Sequence, residues 1–256
     1  MIRAVCLDIA GVLYQGDAAV PGAADAVARL RAAGLPVRFL TNSSRSPKRA
    51  VLEKLARFGI AAAPDELFTP VAAARAWLDA TGHRAHLLVH PALEEDFAGD
   101  GWQGPPAVVL GDAGAGFTYD RLNAAFRLLA EGAPFLALAA NRVFRDADGL
   151  LSLDAGAFVR ALEYASGTEA QVLGKPAPAF FAAAVASTGC PPGTVAMIGD
   201  DAENDVAGAL RAGLGQGILV RTGKYRTGDE TAVDPPPSHL ADDLGAAVAR
   251  ILNDAG

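Results

Sequence analysis

Val195-Ala196-Met197-Ile198-Gly199-Asp200-Asp201-Ala202-Glu203-Asn204-Asp205 passes from a short apolar run, through one glycine, into a cluster of acids. The first four residues suit a strand buried on both faces. From Ala202 to Ala212 the apolar residues recur at spacings of three and four, which predicts a helix stopped at Gly213. The same sequence of strand, polar turn and helix repeats along the chain. Strand-like runs occur at Arg3–Leu7, Pro36–Leu40, Ala85–Val89, Ala107–Leu110, Phe135–Ala139, Ala170–Leu173, Val195–Ile198 and Gly217–Val220. Helical spacing occurs at Ala23–Ala33, Pro47–Phe58, Tyr119–Ala130, Ala155–Ala165, Ala177–Ser187 and Ala202–Ala212. These segments are followed by Gly34, Gly59, Gly132, Gly167, Gly189 and Gly213, the expected helix stops. Such alternation implies an α/β fold, a Rossmann-like parallel sheet with helices on both faces.

The 256 residues suit one large domain, or a core carrying a smaller insertion. Hydrophobic residues make up 51% and charged residues 20%, a globular balance. Mean hydropathy is +0.23, but much of it comes from alanine. No apolar run reaches the ~18 residues of a membrane helix. The run from Ile2 to Leu7 ends at Asp8, too early for a signal-peptide core. A net charge of −7 argues against nucleic acid or an anionic membrane as the main partner. Cys6 and Cys190 imply no disulfide framework, so a reducing, cytoplasmic compartment is expected.

Ligands of such sheets bind beyond the carboxyl ends of the strands. Four of the eight runs end in groups suited to phosphate chemistry: Asp8; Thr41-Asn42-Ser43-Ser44; Gly174-Lys175-Pro176; and Gly199-Asp200-Asp201. The runs near 85–140 do not, so residues 73–173 are expected to form an inserted α/β unit. Residues 1–72 and 174–256 then form the core. Asp234-Pro235-Pro236-Pro237 reads as an extended loop before the last helix.

Each cluster has a chemical and a plainer reading. Asp8 can be a nucleophile that forms an aspartyl-phosphate, or a turn-forming Asp. Gly11 lets the backbone approach a ligand. Thr41, Asn42 and Ser43 offer hydroxyls and N–H groups to phosphate oxygens, or cap the helix that follows. Lys175 can neutralise charge on a nucleophile and a phosphoryl group, or sit on the surface. The acids from Asp200 to Asp205 can favour a helix first turn. Yet Asp200, Asp201 and Asp205 brought together in a cleft would repel without a cation, and hard oxygen donors suit Mg²⁺.

The order and strand-end placement of these clusters resemble the haloacid dehalogenase (HAD)-like hydrolase superfamily. The four motifs correspond to Asp8-Ile9-Ala10-Gly11-Val12-Leu13, Leu40-Thr41-Asn42-Ser43-Ser44, Gly174-Lys175-Pro176, and Gly199-Asp200-Asp201-Ala202-Glu203-Asn204-Asp205. An insertion after the second motif resembles subfamily IIA, which carries a C2-type α/β cap. Ala161-Leu162-Glu163-Tyr164-Ala165 and Thr222-Gly223-Lys224-Tyr225-Arg226 are similar to the phospholysine phosphohistidine inorganic pyrophosphate phosphatase group and its HAD-like hydrolase domain-containing relatives. The resemblance implies a phosphatase with Asp8 as nucleophile and Mg²⁺ ligand. The Ala10 carbonyl and Asp200 would be further metal ligands. Asp205 would belong to the metal site by ordering a bound water or the loop. Thr41, Asn42 and Ser43 would bind phosphate, and Lys175 would stabilise charge. The implied partner is a small phosphorylated metabolite. The relatives imply a homodimer through the cap, and the cap would select substrate.

Position 10 departs from the family pattern. Most phosphatases of the superfamily carry a second Asp there as general acid and base; Ala10 can be neither. General acid–base catalysis contributes roughly 10²–10⁴-fold. The expectation is therefore a preference for good leaving groups: pyrophosphate, aryl or acyl phosphates, phosphoramidates. The alternative is a catalytically weak phosphate-binding or regulatory protein on the same fold. An Asp-x-Ala-Gly start also resembles phosphonoacetaldehyde hydrolase, but that needs a lysine-bearing small cap, and Leu13–Phe39 contains no lysine.

Other signals are discounted. His83, His86 and His90 flank or occupy a strand, where four residues span ~13 Å. Gly213, Gly215 and Gly217 follow a helix and enter a strand, the reverse of a dinucleotide fingerprint. Trp77 and Trp102 are expected to pack in or beside the cap. Asn141–Asp148 is expected to be a cap loop near the opening. Lys224-Tyr225-Arg226 either reaches the cleft rim or forms a solvated loop.

Overall fold

The structure is a computed structural model that describes residues 1–99, 101–145 and 150–253. The chain divides into two compact units. The first comprises residues 1–41, 52–68 and 175–256; the second comprises 42–51 and 69–174.

The first unit is built on six parallel strands. Their spatial order is Leu67–Phe68, Val37–Leu40, Ala4–Asp8, Val195–Gly199, Gln216–Val220, His239–Ala241. Numbered along the chain this is 3-2-1-4-5-6, the doubly wound order, whose direction reverses between Ala4–Asp8 and Val195–Gly199. Every residue of those two strands is buried. The cause is cover on both faces. Ala4, Cys6, Val195 and Met197 pack with Phe180, Phe181, Ala184 and Val185 of the helix Pro178–Ala186. Val5 and Leu7 point to the opposite face by strand alternation and are also fully buried.

The second unit has its own parallel sheet, in the order Gln171–Val172, Phe135–Ala137, Pro106–Leu110, Arg84–Leu88. Alternation again divides its residues between two layers. Ala107 and Val109 join Val71, Ala74 and Leu78 of the helix Pro70–Thr81. Val108 and Leu110 join Ala125, Leu129, Val159 and Leu162 of the helices Tyr119–Ala130 and Ala155–Ser166. Trp77 and Trp102 pack against the first of these layers.

All eight apolar runs are strands, to within two residues at either end. The six helix-stopping glycines all have φ between 68° and 92°.

The expected division at 73–173 differs from the observed one for physical reasons. A boundary at 73 cuts through the helix Pro70–Thr81. That helix starts where Thr69 Oγ1 accepts the Ala72 N–H, with proline next in the chain. Gly174 joins the second unit because it packs on Asn42, Leu138 and Pro70 with no room for a Cβ. Residues 42–51 join it through polar ties. Arg45 pairs with buried Asp112, the Asp112 N–H reaches Ser44 Oγ at 3.2 Å, and the Lys48 N–H reaches Asp96 Oδ2 at 2.9 Å.

Three smaller expectations change. Ala202–Ala212 is not one α-helix: Ala202–Ala207 is π-helical and only Gly208–Arg211 is α-helical. Within Asn141–Asp148, Val143–Arg145 is a strand paired antiparallel with Leu151–Leu153, and residues 146–149 lie outside the described residues. After Asp234–Pro237 a short strand, His239–Ala241, precedes the final helix Leu244–Asn253.

Candidate active site

Parallel pairing sets Asp8 beside the acidic turn. Leu7 registers with Ile198, so the two strands end together with Asp8 on one and Gly199-Asp200 on the other. This is the position at which a doubly wound sheet leaves a crevice. On the other side, Asp8 registers with Leu40, and Thr41 follows immediately.

Four charged side chains converge there, all nearly inaccessible to water: Asp8, Lys175, Asp200 and Asp205. Lys175 Nζ donates to Asp8 Oδ1, lies 2.6 Å from Asp205 Oδ1, and is 3.5 Å from the Leu40 carbonyl. Burial opposes the charge on this ammonium. Asp205 and Asp8 overcome that and hold its pKa above the ordinary lysine value. One carboxylate oxygen each from Asp8, Asp200 and Asp205 lies within 4.8 Å of the others.

Asp200 is held from two sides. The Lys224 N–H donates to its Oδ2 at 2.7 Å. Gly11 (φ 90°) and Gly223 (φ 62°) close on the same carboxylate, and a Cβ on either would overlap it. Both positions therefore need glycine for conformation and for space. Strand-end logic could have found this loop, because Arg221-Thr222-Gly223-Lys224 follows the strand Gln216–Val220. Of Lys224-Tyr225-Arg226, Lys224 thus reaches the site through its backbone N–H, while its side chain stays exposed.

The acids of the turn divide by role. Asp201 does not join the carboxylate group, contrary to the sequence expectation. It caps the π-helical turn instead, accepting from Asn204 N and Nδ2 at 2.9 Å each, with Lys224 Nζ 3.4 Å away. Glu203 pairs with Arg211. Asp205, one turn on, points inward, where its carboxylate lies within 4.8 Å of those of Asp8 and Asp200. The remaining predicted residues are placed as follows. Thr41 is buried, and its N–H reaches the Phe68 carbonyl at 3.1 Å. Asn42 and Ser43 belong to the second unit. Ala10 sits in the turn after Asp8 with its side chain exposed. The Gly11 N–H next to it donates to the Tyr14 carbonyl at 2.7 Å. Of the discounted histidines, His83 packs on Trp77 with ring centroids 5.2 Å apart, and His90 Nδ1 accepts the Ala92 N–H.

This donor set fits a hard divalent cation. When ionised, Asp8, Asp200 and Asp205 carry three negative charges against the one positive charge of Lys175, a deficit of two that one Mg²⁺ would cancel. Without a cation, burial first, then Asp8 and Asp205, push Asp200 up to about 8. Burial and Asp8 push Asp205 up to about 7, against the pull of Lys175. Both values exceed the ordinary carboxylate value of 3.8. Below that value the folded and unfolded chains hold these protons alike, and the native state carries no charge penalty. Above 3.8 the unfolded chain gives up these protons while the native cluster keeps them, so the metal-free protein loses stability as pH rises until the cluster itself ionises at about 7–8. A cation must displace those protons. The Mg²⁺-induced rise in melting temperature should therefore grow from pH 5 to pH 8.5. Thermal unfolding with and without Mg²⁺ across that range checks it; a shift independent of pH would exclude these carboxylates as the binding site.

Known proteins are similar to this chain over nearly its whole length. A family model described as haloacid dehalogenase-like hydrolase matches residues 5–103, and a second, HAD-hydrolase-like model matches residues 172–247. The human haloacid dehalogenase-like hydrolase domain-containing protein 2 is 45% identical over 251 residues, covering 98% of this chain and 96% of its own. A phospholysine phosphohistidine inorganic pyrophosphate phosphatase of Xenopus laevis is 40% identical over 258 residues, covering 98% and 95%. The crystal structure of a 4-nitrophenylphosphatase from Thermotoga maritima superposes with a TM-score of 0.88 at 28% identity, covering 97% of each chain. With identity of this level running nearly end to end, and Asp8, Lys175 and Asp200 gathered at the switch point of the sheet, the chain belongs to the haloacid dehalogenase-like hydrolases.

Proposed function

We propose that the chain is a magnesium-dependent phosphatase in which the Asp8 carboxylate attacks phosphorus. The observation that carries this reading is the buried group Asp8–Asp200–Asp205 with Lys175 paired to Asp8 and Asp205. Asp8, Asp200 and the Ala10 carbonyl would hold Mg²⁺, with Asp205 completing the site. The ion would neutralise charge on the transferring phosphoryl group. An Asp8 oxygen forms the new bond to phosphorus, and the leaving group departs with the electron pair of the broken P–O or P–N bond. Water then attacks the aspartyl-phosphate, which frees phosphate and restores the carboxylate. Lys175, paired to Asp8, offsets charge as it builds. Thr41, Asn42 and Ser43 are assigned to the phosphate oxygens, and the substrate is a small phosphorylated metabolite.

Ala10 sharpens the substrate class. With no carboxyl at this position, the leaving group receives no proton from the residue that usually supplies it. Aryl phosphates, acyl phosphates, phosphoramidates and pyrophosphate need that proton least. The names of the phospholysine phosphohistidine inorganic pyrophosphate phosphatase and 4-nitrophenylphosphatase relatives support such a preference. In the presence of Mg²⁺, 4-nitrophenyl phosphate should be hydrolysed at least ~100-fold faster than a simple alkyl phosphate, within the range that general acid catalysis spans. Ala10→Asp should shrink that ratio by about tenfold or more. An unchanged ratio would remove Ala10 as its cause. Phosphate binding without turnover on the whole panel would instead support the regulatory, phosphate-binding reading that Ala10 also allows.

A further inference from the structure

We propose that Lys224 is a specificity residue that takes a second anionic group of the substrate, so that the site favours phosphoanhydrides such as inorganic pyrophosphate over monoesters with neutral leaving groups. The inference rests on the Asp8 reading above and adds the residue that meets the leaving group.

Lys224 is anchored at the metal-site carboxylate. Its N–H is held by Asp200 Oδ2 at 2.7 Å, and the preceding Gly223 approaches so closely that a Cβ there would lie 2.7 Å from the Gly11 Cα. The base of the side chain is therefore fixed beside Asp8 and Asp200, while its end is open. The Lys224 side chain is 64% exposed, against 3% for Lys175. Lys175 is committed to Asp8 and Asp205 and cannot follow a departing group. The Lys224 ammonium has a looser contact, 3.4 Å from Asp201 Oδ2, and Asp201 already accepts two hydrogen bonds from Asn204. An ammonium has three donors, so two remain for an incoming anion. The other cation early in this loop, Arg221, is paired with Asp242 at 2.6 Å.

The leaving-group chemistry matches this placement. When the anhydride bond of pyrophosphate breaks, the leaving phosphate takes the electron pair and gains negative charge. Neutralising that charge replaces the proton that Ala10 cannot give; water protonates the product.

The test compares wild type with Lys224→Gln and Lys224→Arg. Both variants keep the backbone N–H that holds Asp200. In Lys224→Gln, kcat/KM for pyrophosphate should fall by about 30-fold, the worth of a charge-assisted hydrogen bond, and that for 4-nitrophenyl phosphate by about threefold. Lys224→Arg should recover most of the pyrophosphate rate. Methylenediphosphonate, which is not hydrolysed, gives a readout independent of turnover. By calorimetry with Mg²⁺ its Kd should rise about 30-fold in Lys224→Gln, and that of orthophosphate about threefold. Equal losses on the two substrates, or unchanged methylenediphosphonate binding, would overturn the proposal. If wild type hydrolysed neither substrate, the Asp8 reading would fail, and the methylenediphosphonate comparison would still decide the role of Lys224.

Discussion

Asp8→Asn is expected to lower Mg²⁺-dependent phosphate release from 4-nitrophenyl phosphate by about 10⁴-fold or more, because an amide cannot act as the nucleophile. The substitution is close to isosteric at a strand end that registers with Leu40 on one side and borders Val195–Gly199 on the other. Two electrostatic changes oppose each other in the metal-free protein. Lys175 loses one anionic partner but keeps Asp205 at 2.6 Å, and Asp200 loses a repelling neighbour. The fold should therefore survive, with a melting temperature within about 5 °C of wild type, since about 1 kcal/mol moves a chain of this size by roughly 2–4 °C. Rates at saturating Mg²⁺, with circular dichroism on the same sample, make the measurement. A variant that keeps a tenth of the activity would move the nucleophile elsewhere.

Lys175→Met should have the largest effect on stability. It removes the ammonium that compensates Asp8 and Asp205 inside the protein, where Lys175 is 3% exposed. Breaking a buried pair by deleting one partner costs about 3–5 kcal/mol, because the other charge stays behind. Here two carboxylates stay behind, next to Asp200. At pH 8 in EDTA the melting temperature should fall by about 10 °C. The sign of the pH dependence follows from the carboxylates. The folded pKa of Asp205, already raised by burial, rises further without the lysine, so the penalty grows as pH rises and shrinks as this carboxylate takes up its proton. Most of the loss should return at pH 5, and Mg²⁺ at pH 8 should restore part of it. Thermal melts at the two pH values, with EDTA or with Mg²⁺, test this. An equal fall at both would mean that packing, not charge, underlies the role of Lys175.

Much of the fold is legible in the chain because its signals are local. Ala4–Asp8 and Val195–Gly199 are continuous apolar runs, as strands covered on both faces must be. Helix ends such as Gly167 and Gly213 are marked by the residue type that tolerates a left-handed backbone. The strands Leu67–Phe68 and His239–Ala241 are not legible in the sequence, because two or three residues carry no readable period. The helix Pro70–Thr81 carries a local signal in Thr69-Pro70, and a boundary at 73 falls inside it. The ties of residues 42–51 to Asp112 and Asp96 join segments about 50 to 70 residues apart, and no local pattern encodes them.

The candidate site divides in the same way. That Asp8 ends a buried strand, that acids follow another, and that position 10 lacks a carboxyl were all determined by the sequence, since a strand places its next residue at the sheet edge by connectivity alone. Which acids act together was decided only in three dimensions. Asp201 turns to cap the π-helical turn and Asp205 turns inward to Lys175, a choice set by the angle of each side chain around that turn. Lys224 reaches Asp200 across 24 residues of chain because Gly11 and Gly223 let two backbones close on one carboxylate. Such an approach depends on the absence of side chains at two distant positions, and only the folded sheet brings those positions together.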